Sequence, residues 1–332
     1  MLKIINESND PAFNLAVEEY FLKKSDLKDD VMILWINKPT IVIGKNQNAF
    51  AELNLNYVKE NNINVVRRLS GGGAVYHDLG NLNFTIIKTD ASLKKNDFSF
   101  FTSPLIQCLK ELGVDAVFSG RNDVLVDGKK ISGNAQYFYK DKVLHHGTLL
   151  FNSDLSVLTK ALAPRNIKLI SKGISSVRSR VGTILDSLPA NMTIDDFKKA
   201  LEKSFKKAYK EELYDYHLIE KDIEYINELA DKKYRTWEWT YGKSSSMKLW
   251  SEKKFDSGTF SLYMEVKKGI IQAFRLYGDF FEIRPVEELE ANFIGISLSM
   301  TEISKVMDRI DCLTYIKNFS NNELLNLIFE VE

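Results

Sequence analysis

The sequence predicts an α+β fold in which a sheet containing antiparallel strands is flanked by helices. In the middle of the chain, β-rich runs at 124–126, 130–139 and 143–151 are joined by tight turns, a pattern typical of an antiparallel meander. Segments with helical spacing lie before and after this meander. The clearest of them follows a candidate N-cap, Thr193, and carries an apolar stripe. That stripe consists of Phe197, Leu201, Phe205 and Ala208.

The N-terminal part of the chain alternates helices and short strands. Asp10-Pro11 combines an N-cap residue with a proline at the first helical position, so we expect a helix to begin there. Gly113 fits a left-handed cap at the end of a second helix that begins near Thr102. Strands are expected at 31–36, 40–44, 64–68 and 82–88.

A domain boundary is expected near residues 245–252. The stretch 243–247 (KSSSM) is small and polar, and it is interpreted as a hinge. Beyond it, strands are expected near Thr259–Val266 and Ile270–Tyr277, and Ser320 to Glu323 have the pattern of a capping box. The predicted organisation is a large domain at 1–245, a linker at 246–252 and a small accessory C-terminal α+β domain at 253–332.

Composition limits the class of partner. Among 332 residues, Lys+Arg and Asp+Glu both number 45, so no net charge draws the protein to nucleic acid or to a membrane. A small molecule or another protein is the expected partner. The two cysteines, Cys108 and Cys312, are interpreted as buried thiols in a reducing cytosol. The N-terminus turns polar too early for a signal peptide, and no apolar run approaches the ~18 residues of a membrane span, so a cytoplasmic location is expected.

The most informative stretch is 67–78 (RRLSGGGAVYHD). Three consecutive glycines contribute no core packing, but they allow a close approach of the backbone to a ligand. Their N–H groups can hold an anion, and Arg67 and Arg68 are expected to add positive charge. A flexible hairpin turn is the alternative. The GxxxxGK[ST] spacing of a P-loop is missing, so phosphate binding is plausible while the nucleotide stays open.

Two further stretches could contribute charged groups. Asp123, in 120–123 (GRND), could hold Mg²⁺ beside a phosphate, although Gly-Asn-Asp combinations also form ordinary turns. Strand alternation is expected to put Lys130 and Ser132 on one face and Ile131 on the other. If the first face lines a pocket, Lys130 can stabilise negative charge that develops in a transition state. Otherwise Lys129 and Lys130 only decorate a hairpin.

The paired histidines His145 and His146 do not predict a metal centre. Adjacent strand residues point to opposite faces, so at most one of the two faces a given site. No cysteine or third histidine lies nearby in the sequence. A single histidine that contacts a ligand, or a buried structural histidine, is the better interpretation. The basic stretch 175–181 (SSVRSRV) is expected to lie in a loop, with a solvated surface as the alternative.

Taken together, these stretches resemble the lipoate–protein ligase A family. Residues 67–78, 120–123, 130–133 (KISG), 145–150 (HHGTLL) and 176–180 occur in the family's order and at similar spacing. Residues 237–239 (WEW) and the small C-terminal domain are also similar, so the resemblance covers nearly the whole chain. Each motif alone is weak, whereas the combination is highly specific.

The resemblance implies a mixed, largely antiparallel sheet with flanking helices, as in biotin ligases and class II tRNA synthetases. It implies an enzyme that activates lipoate with ATP and Mg²⁺ to lipoyl-AMP and then modifies a lysine of a lipoyl-carrier domain. The carrier would be a glycine-cleavage H protein or a 2-oxoacid dehydrogenase E2. Lys130 would be catalytic, contacting both the acyl carbonyl and the α-phosphate. Substrate and adenylate would bind at Arg68, Ser70, Gly71, Gly72, Gly73, Ala74, Val75, Tyr76, Asn122, Asp123, Gly133, Ala135, His146 and Thr148.

Small departures leave the substrate preference open. Leu69 stands where some relatives carry a third arginine, and Asn134 follows Gly133 where others have serine. The main alternative is an octanoyl or lipoyl transferase that works without ATP through a cysteine near the GRND stretch. No cysteine lies between Gly120 and Lys130, which disfavours it. A biotin ligase and a non-enzymatic lipoate-binding protein are further alternatives.

Overall fold

The computed structural model describes residues 1–24, 27–90, 97–162, 181–189, 191–242 and 249–329. The expected hinge at 243–247 and the basic stretch 175–180 lie outside the described residues. The chain forms two compact units. The first comprises Met1–Val42, Ala51–Arg67 and Val75–Thr240. The second comprises Ile43–Phe50, Arg68–Ala74 and Tyr241–Glu332.

An eight-stranded sheet is the framework of the first unit. From one edge to the other, its strands are β11, β1, β2, β6, β10, β9, β8 and β7. β1 runs parallel to both of its neighbours, and the remaining pairs are antiparallel. The predicted mixed, largely antiparallel sheet is therefore confirmed. The strands are β1 (Leu2–Ile5), β2 (Val31–Trp35), β6 (Asn81–Lys88), β7 (Ala116–Ser119), β8 (Asp123–Val126), β9 (Lys129–Tyr139), β10 (Lys142–Leu150) and β11 (Tyr214–His217).

A second, smaller sheet contains three short strands in the order β4, β3, β5. These strands are β3 (Thr40–Ile43), β4 (Asn64–Arg67) and β5 (Val75–His77). The glycine stretch connects β4 to β5. The sequence pattern predicts each of these strands except β5, which is only three residues long.

Among the described residues, seven α-helices accompany the two sheets, and two of them, Phe98–Glu111 and Ile194–Tyr209, bury phenylalanines in the core of the first unit. Asp10 caps the first helix by accepting from the backbone N of Ala12, and Thr193 forms a capping box with Asp196, as the sequence predicts. Asp97 caps a helix at Phe98, so this helix begins four residues before the predicted start at Thr102. The helices are α1 (Pro11–Lys23), α2 (Ala49–Glu52), α3 (Leu55–Glu60), α4 (Phe98–Glu111), α5 (Leu155–Ala161), α6 (Ile194–Tyr209) and α7 (Glu220–Leu229).

The core beneath α4 and α6 contains most of the predicted apolar stripe. Phe197, Leu201 and Phe205 are fully buried there, beside Phe101. Ala208, the predicted fourth member, is exposed in the last turn of α6, which ends at Tyr209. None of the helices in the described part of the chain combines the length and apolarity that a membrane crossing requires.

The C-terminal part of the second unit is a three-stranded antiparallel sheet with short helices. Two of its strands match the predicted ones, and a third precedes them. Phe260 stacks on both Phe280 and Phe319, with ring centroids 4.8 and 4.0 Å apart, at the centre of its core. The elements are β12 (Leu249–Phe255), β13 (Gly258–Lys267), β14 (Ile270–Gly278), α8 (Val286–Ala291), α9 (Met300–Met307) and α10 (Asn321–Phe329).

A buried carboxyl group, Glu290, makes the stability of this core depend on pH. Its Oε2 accepts from Arg275 at 2.6 Å and its Oε1 from the backbone N of Leu276 at 2.8 Å, with only 2% of the residue exposed. Burial nevertheless raises the pKa of Glu290 to about 7. Because the folded protein holds this proton more tightly than the unfolded chain, the stabilising contribution is present at acid pH. It is lost as the pH rises from about 4.5 to about 7.

We predict that Glu290→Gln becomes progressively more stable, relative to the unmodified protein, between about pH 5 and about pH 8, because glutamine has no charge to desolvate. The difference in the free energy of unfolding between the two proteins should change by on the order of 1–3 kcal/mol across this range. Thermal unfolding at a series of pH values measures it. Glu288→Gln, at the partly exposed ion pair with Arg284, is the matched control. A melting-temperature difference between Glu290→Gln and the unmodified protein that stays constant with pH would contradict the prediction.

Candidate functional site

Polar residues share one face at the centre of the large sheet. Thr148 on β10 lies opposite Asn83 on β6, and its Oγ1 accepts from the backbone N of Gly133 on β9 at 3.2 Å. Gly133 in turn pairs with Asp123 on β8. Because residues in register on neighbouring strands point to the same side, these four residues form a row across one face.

A β-bulge brings Lys130 to this same face. Val124 pairs with Ser132 but Leu125 pairs with Lys130, so Ile131 is an extra residue in β9. A Cβ at Gly133 would come within 2.9 Å of Lys130 Nζ, which shows that the ammonium lies directly over Gly133. The expectation that Lys130 shares a face with Ser132 is therefore wrong, because the bulge changes the alternation between these two residues.

The Lys130 ammonium forms an ion pair with Asp123, with 2.8 Å between Nζ and Oδ1 and each side chain 34% exposed. Asn122 fixes the start of β8. Its Nδ2 donates to the carbonyl of Asn134 at 2.6 Å, and its own carbonyl accepts from the backbone N of Asn134 at 2.9 Å. The predicted residues Asn122, Asp123, Lys130 and Gly133 are thus close together, at an accessible edge of the row.

The neighbouring row contains His146, which lies opposite Thr85 on β6 and Ala135 on β9. His146 Nδ1 is 3.0 Å from Oε1 of Glu18, a buried carboxylate of α1. Thr85 Oγ1 donates to the same oxygen at 2.5 Å, and Trp35 Nε1 donates to Thr85 Oγ1 at 2.9 Å. This chain of hydrogen bonds fixes the orientation of the His146 ring.

Sequence reasoning missed these partners. The alternation of polar and apolar residues along 81–86 (NLNFTI) was the available signal for a polar face on β6. Glu18 and Glu19 are adjacent on α1, and their carboxylates do not converge on one point. Glu18 contacts His146, whereas Glu19 accepts from Lys233 at 2.7 Å and from the Tyr234 hydroxyl at 2.6 Å.

His145 points to the opposite face of the sheet, as strand alternation predicts. Its ring stacks on Phe101 at 4.6 Å, its Nδ1 lies 3.1 Å from Gln136 Nε2 and its Nε2 lies 3.2 Å from Asn134 Oδ1. Burial lowers the pKa of His145 well below its usual value, so the ring is neutral and structural. Within the described residues, no group of three or more His, Cys, Asp or Glu side chains is arranged to hold a metal ion.

The glycine loop, residues 68–74, belongs to the second unit. The Arg68 guanidinium organises it from inside: Nε donates to Ser70 Oγ at 3.0 Å, and Nη2 donates to the carbonyls of Gly71 and Gly73 at 2.6 and 2.8 Å. Gly72 adopts a positive φ of 89° that favours glycine. A Cβ on Gly73 would meet only Asp279 Cβ, at 4.0 Å, so the loop backbone is open at that residue.

Val75 and Tyr76, on the other side of the unit boundary, begin β5. Burial, with the nearby carboxylates of Asp78 and Asp154, raises the pKa of Tyr76 to about 12. The hydroxyl therefore stays protonated and remains available as a donor at neutral pH. Ala74 completes the predicted segment as the last loop residue in the second unit.

Arg67 has a structural role instead of the predicted one. It is completely buried, and its guanidinium donates to the carbonyls of Trp239 at 3.1 Å and Thr240 at 2.7 Å. Trp239 Nε1 donates back to the Arg67 carbonyl at 2.7 Å. Only one of the two arginines, Arg68, is therefore part of the loop, while Arg67 anchors β4 to the segment that contains residues 237–239.

Two protein families match the sequence, and together they cover most of its length. The family described as lipoyl protein ligase A/B catalytic domain matches residues 10–206. The family described as bacterial lipoate protein ligase C-terminus matches residues 244–328.

Individual proteins are similar over most or all of the chain. The lipoate–protein ligase LplJ of Bacillus subtilis is 43% identical over 331 residues, which span 99% of this chain and 100% of the relative. The structure of P. falciparum LipL1 in complex with lipoate has a TM-score of 0.83 at 28% identity, covering 100% of this chain and 99% of the other. A lipoate–protein ligase A bound with ATP has a TM-score of 0.64 at 29% identity, covering 73% and 98%. The chain therefore belongs to the lipoate–protein ligase family of enzymes.

Proposed function

We propose that this chain is an ATP-dependent ligase that adenylates lipoate and transfers the lipoyl group to a specific lysine of lipoyl-carrier domains. The observation that carries the proposal is the Lys130 ammonium, which lies over Gly133 on a sheet face that also presents Thr148 and Asp123. Similarity to P. falciparum LipL1 in complex with lipoate and to a lipoate–protein ligase A bound with ATP supports this choice of substrates. Glycine-cleavage H protein and 2-oxoacid dehydrogenase E2 domains are the proposed carriers.

In the first half-reaction, a carboxylate oxygen of lipoate attacks the α-phosphorus of ATP. The bond from that phosphorus to the bridging oxygen breaks, and pyrophosphate leaves with the bonding electrons. Negative charge then accumulates between the carboxylate and the α-phosphate. A fixed cation at this point, the proposed role of Lys130, stabilises the transition state more than the ground state.

In the second half-reaction, the neutral ε-amine of the carrier lysine attacks the acyl carbon of lipoyl-AMP. An amide bond forms, AMP leaves with the electrons of the broken C–O bond, and the amine loses a proton to solvent. Lys130 would now polarise the acyl carbonyl oxygen. The same ammonium therefore serves both steps, since each builds charge on oxygen atoms around the same carboxyl carbon.

The proposed acyl slot runs along β9 and β10 from Lys130. The Lys130 ammonium lies over Gly133, and the small side chain of Ala135 is proposed to leave room for the hydrocarbon chain beyond it. Thr148 and His146 line the same face. The nucleotide is proposed to bind the glycine loop through its backbone N–H groups. Mg²⁺ would enter with the phosphates of ATP, and Asp123 could supply the single carboxylate contact that such an ion commonly takes from protein.

The cysteine chemistry of the alternative transferase is disfavoured. Burial raises the pKa of both Cys108 and Cys312 to about 12, so neither thiol provides a thiolate at neutral pH. Both side chains are packed in hydrophobic cores. Adenylation needs no thiol, which agrees with this environment.

Replacing Lys130 should abolish chemistry more than binding. We predict that Lys130→Ala stays folded and lowers the rate of lipoate-dependent pyrophosphate release by roughly a hundred- to a thousandfold. Its affinity for a non-hydrolysable lipoyl-AMP analogue should fall much less, because the lost contact acts mainly in the transition state.

Lys129→Ala is the internal control, because Lys129 is exposed and pairs with Val126 at the beginning of β9. It should stay within a few fold of the unmodified enzyme. Equal losses in the two variants would refute the assignment of Lys130, and absence of pyrophosphate release from the unmodified enzyme would refute the ligase.

Removal of both thiols separates the ligase from the transferase. A Cys108→Ala, Cys312→Ala protein should retain lipoate- and ATP-dependent ligation within a few fold, since neither sulfur takes part in adenylation. Ligation of lipoate to an isolated carrier domain, followed by mass spectrometry, measures this. A folded double variant that loses activity about a hundredfold would favour a cysteine nucleophile instead.

A further inference from the structure

A segment at the end of β14, residues 278–282, lies against the glycine loop within the second unit and is termed the strap. The backbone N of Gly72 donates to the carbonyl oxygen of Phe280 at 3.3 Å. A Cβ on Gly71 would come 2.3 Å from that same oxygen, so a glycine is required where the strap crosses the loop. The backbone N of Gly278 donates to the carbonyl of Asn46 at 3.0 Å. The strap is therefore bound to the loop and to the turn beside it mainly through backbone groups.

An ion pair between Lys45 and Glu282 joins the same segments. Lys45 follows Gly44, where an added Cβ would lie 2.0 Å from the carbonyl oxygen of Gly72. The backbone N of Lys45 donates to the carbonyl of Ser70 at 2.8 Å. The lysine thus extends from a residue packed on the loop itself. The two charged side chains are only 12% and 10% exposed. An ion pair buried to this degree loses most of its attraction to desolvation, so stability alone is a weak reason for it.

The strap supplies two oxygen acceptors to the loop and to the residue beside it. The Phe280 carbonyl accepts from a loop N–H, and the Glu282 carboxylate accepts from the Lys45 ammonium. These residues are two positions apart, so their Cα atoms are at most about 7 Å from each other. A nucleoside triphosphate offers anionic oxygens to the same kinds of donor, backbone N–H groups and a lysine.

We propose that the strap is an internal mimic of the phosphate chain, and that Lys45 is a nucleotide-binding residue that Glu282 masks until ATP displaces the strap. This inference rests on the proposed function, because it assumes that the glycine loop binds ATP. It adds Lys45 to the binding residues. The observed affinity for ATP then reflects the free energy of ATP binding minus the free energy needed to release the strap.

The two members of the ion pair must then affect ATP binding in opposite directions. Glu282→Gln weakens the strap and leaves the ammonium available, so ATP should bind several-fold more tightly. Lys45→Met removes a charged donor from the bound phosphates, so the affinity for ATP should fall by a factor of roughly ten or more. An ion pair that only supports the fold would shift both variants in the same direction.

Calorimetric titration of the full-length protein with ATP and Mg²⁺, without lipoate, is the test. Lys45→Arg should retain most of the affinity, and the Lys45→Met, Glu282→Gln double variant should behave like Lys45→Met. Glu288→Gln, at the partly exposed pair with Arg284 in the same unit, is the matched control. Melting temperatures identify variants that fail to fold. If Lys45→Met fails to fold, the change in ATP affinity of Glu282→Gln alone decides whether the proposal holds.

Tighter binding by Glu282→Gln together with weaker binding by Lys45→Met supports the proposal. Equal signs, or an unchanged affinity in Glu282→Gln, overturn it. Failure of the proposed function is a separate result, namely no lipoate-dependent pyrophosphate release from the unmodified protein. ATP binding itself requires no turnover, so the two failures are distinguishable.

Discussion

One extra residue in β9 determines which side chains meet on the central face of the sheet. In a regular strand, Lys130 would point with Ser132 toward one side, and Gly133 would point to the other. The bulge at Ile131 changes this alternation, so the ammonium lies over Gly133 and reaches Asp123. The rest of the arrangement depends on this. A Cβ at Gly133 would meet the lysine, and Asp123 pairs with Gly133 on the neighbouring strand, within reach of the ammonium.

The parts of the fold that could be predicted are those that depend on residues close together in the sequence. Caps are short-range hydrogen bonds, and those of Asp10, Thr193 and Ser320 occur as the sequence indicates. The antiparallel meander is also local, since its turns join strands that are neighbours in the chain. Strand order is not local. No pattern in residues 2–5 reveals that this strand pairs in parallel with residues 214–217.

The residues of the candidate site also differ in whether a local sequence signal reveals them. The glycine stretch, the GRND turn and Lys130 are contiguous motifs that can be identified by inspection. Glu18 contacts His146 across 128 positions of sequence, and a helix residue gives no sign of a partner that far away. Arg67 looked like a ligand-binding charge because of its position beside Arg68. Burial decides otherwise, since a fully desolvated guanidinium is satisfied by backbone carbonyls in the folded chain.

The pairing of β1 has a consequence for synthesis of the protein. β1 lies between β2 and β11, and Arg67 is held by the carbonyl of Thr240, 173 positions later. Such contacts form only after closure of a long loop, which slows folding. While the ribosome is still making the middle of the chain, one edge of β1 has no neighbour. The first unit can be completed only after residue 240 emerges, and until then that edge is open to pairing with other nascent chains.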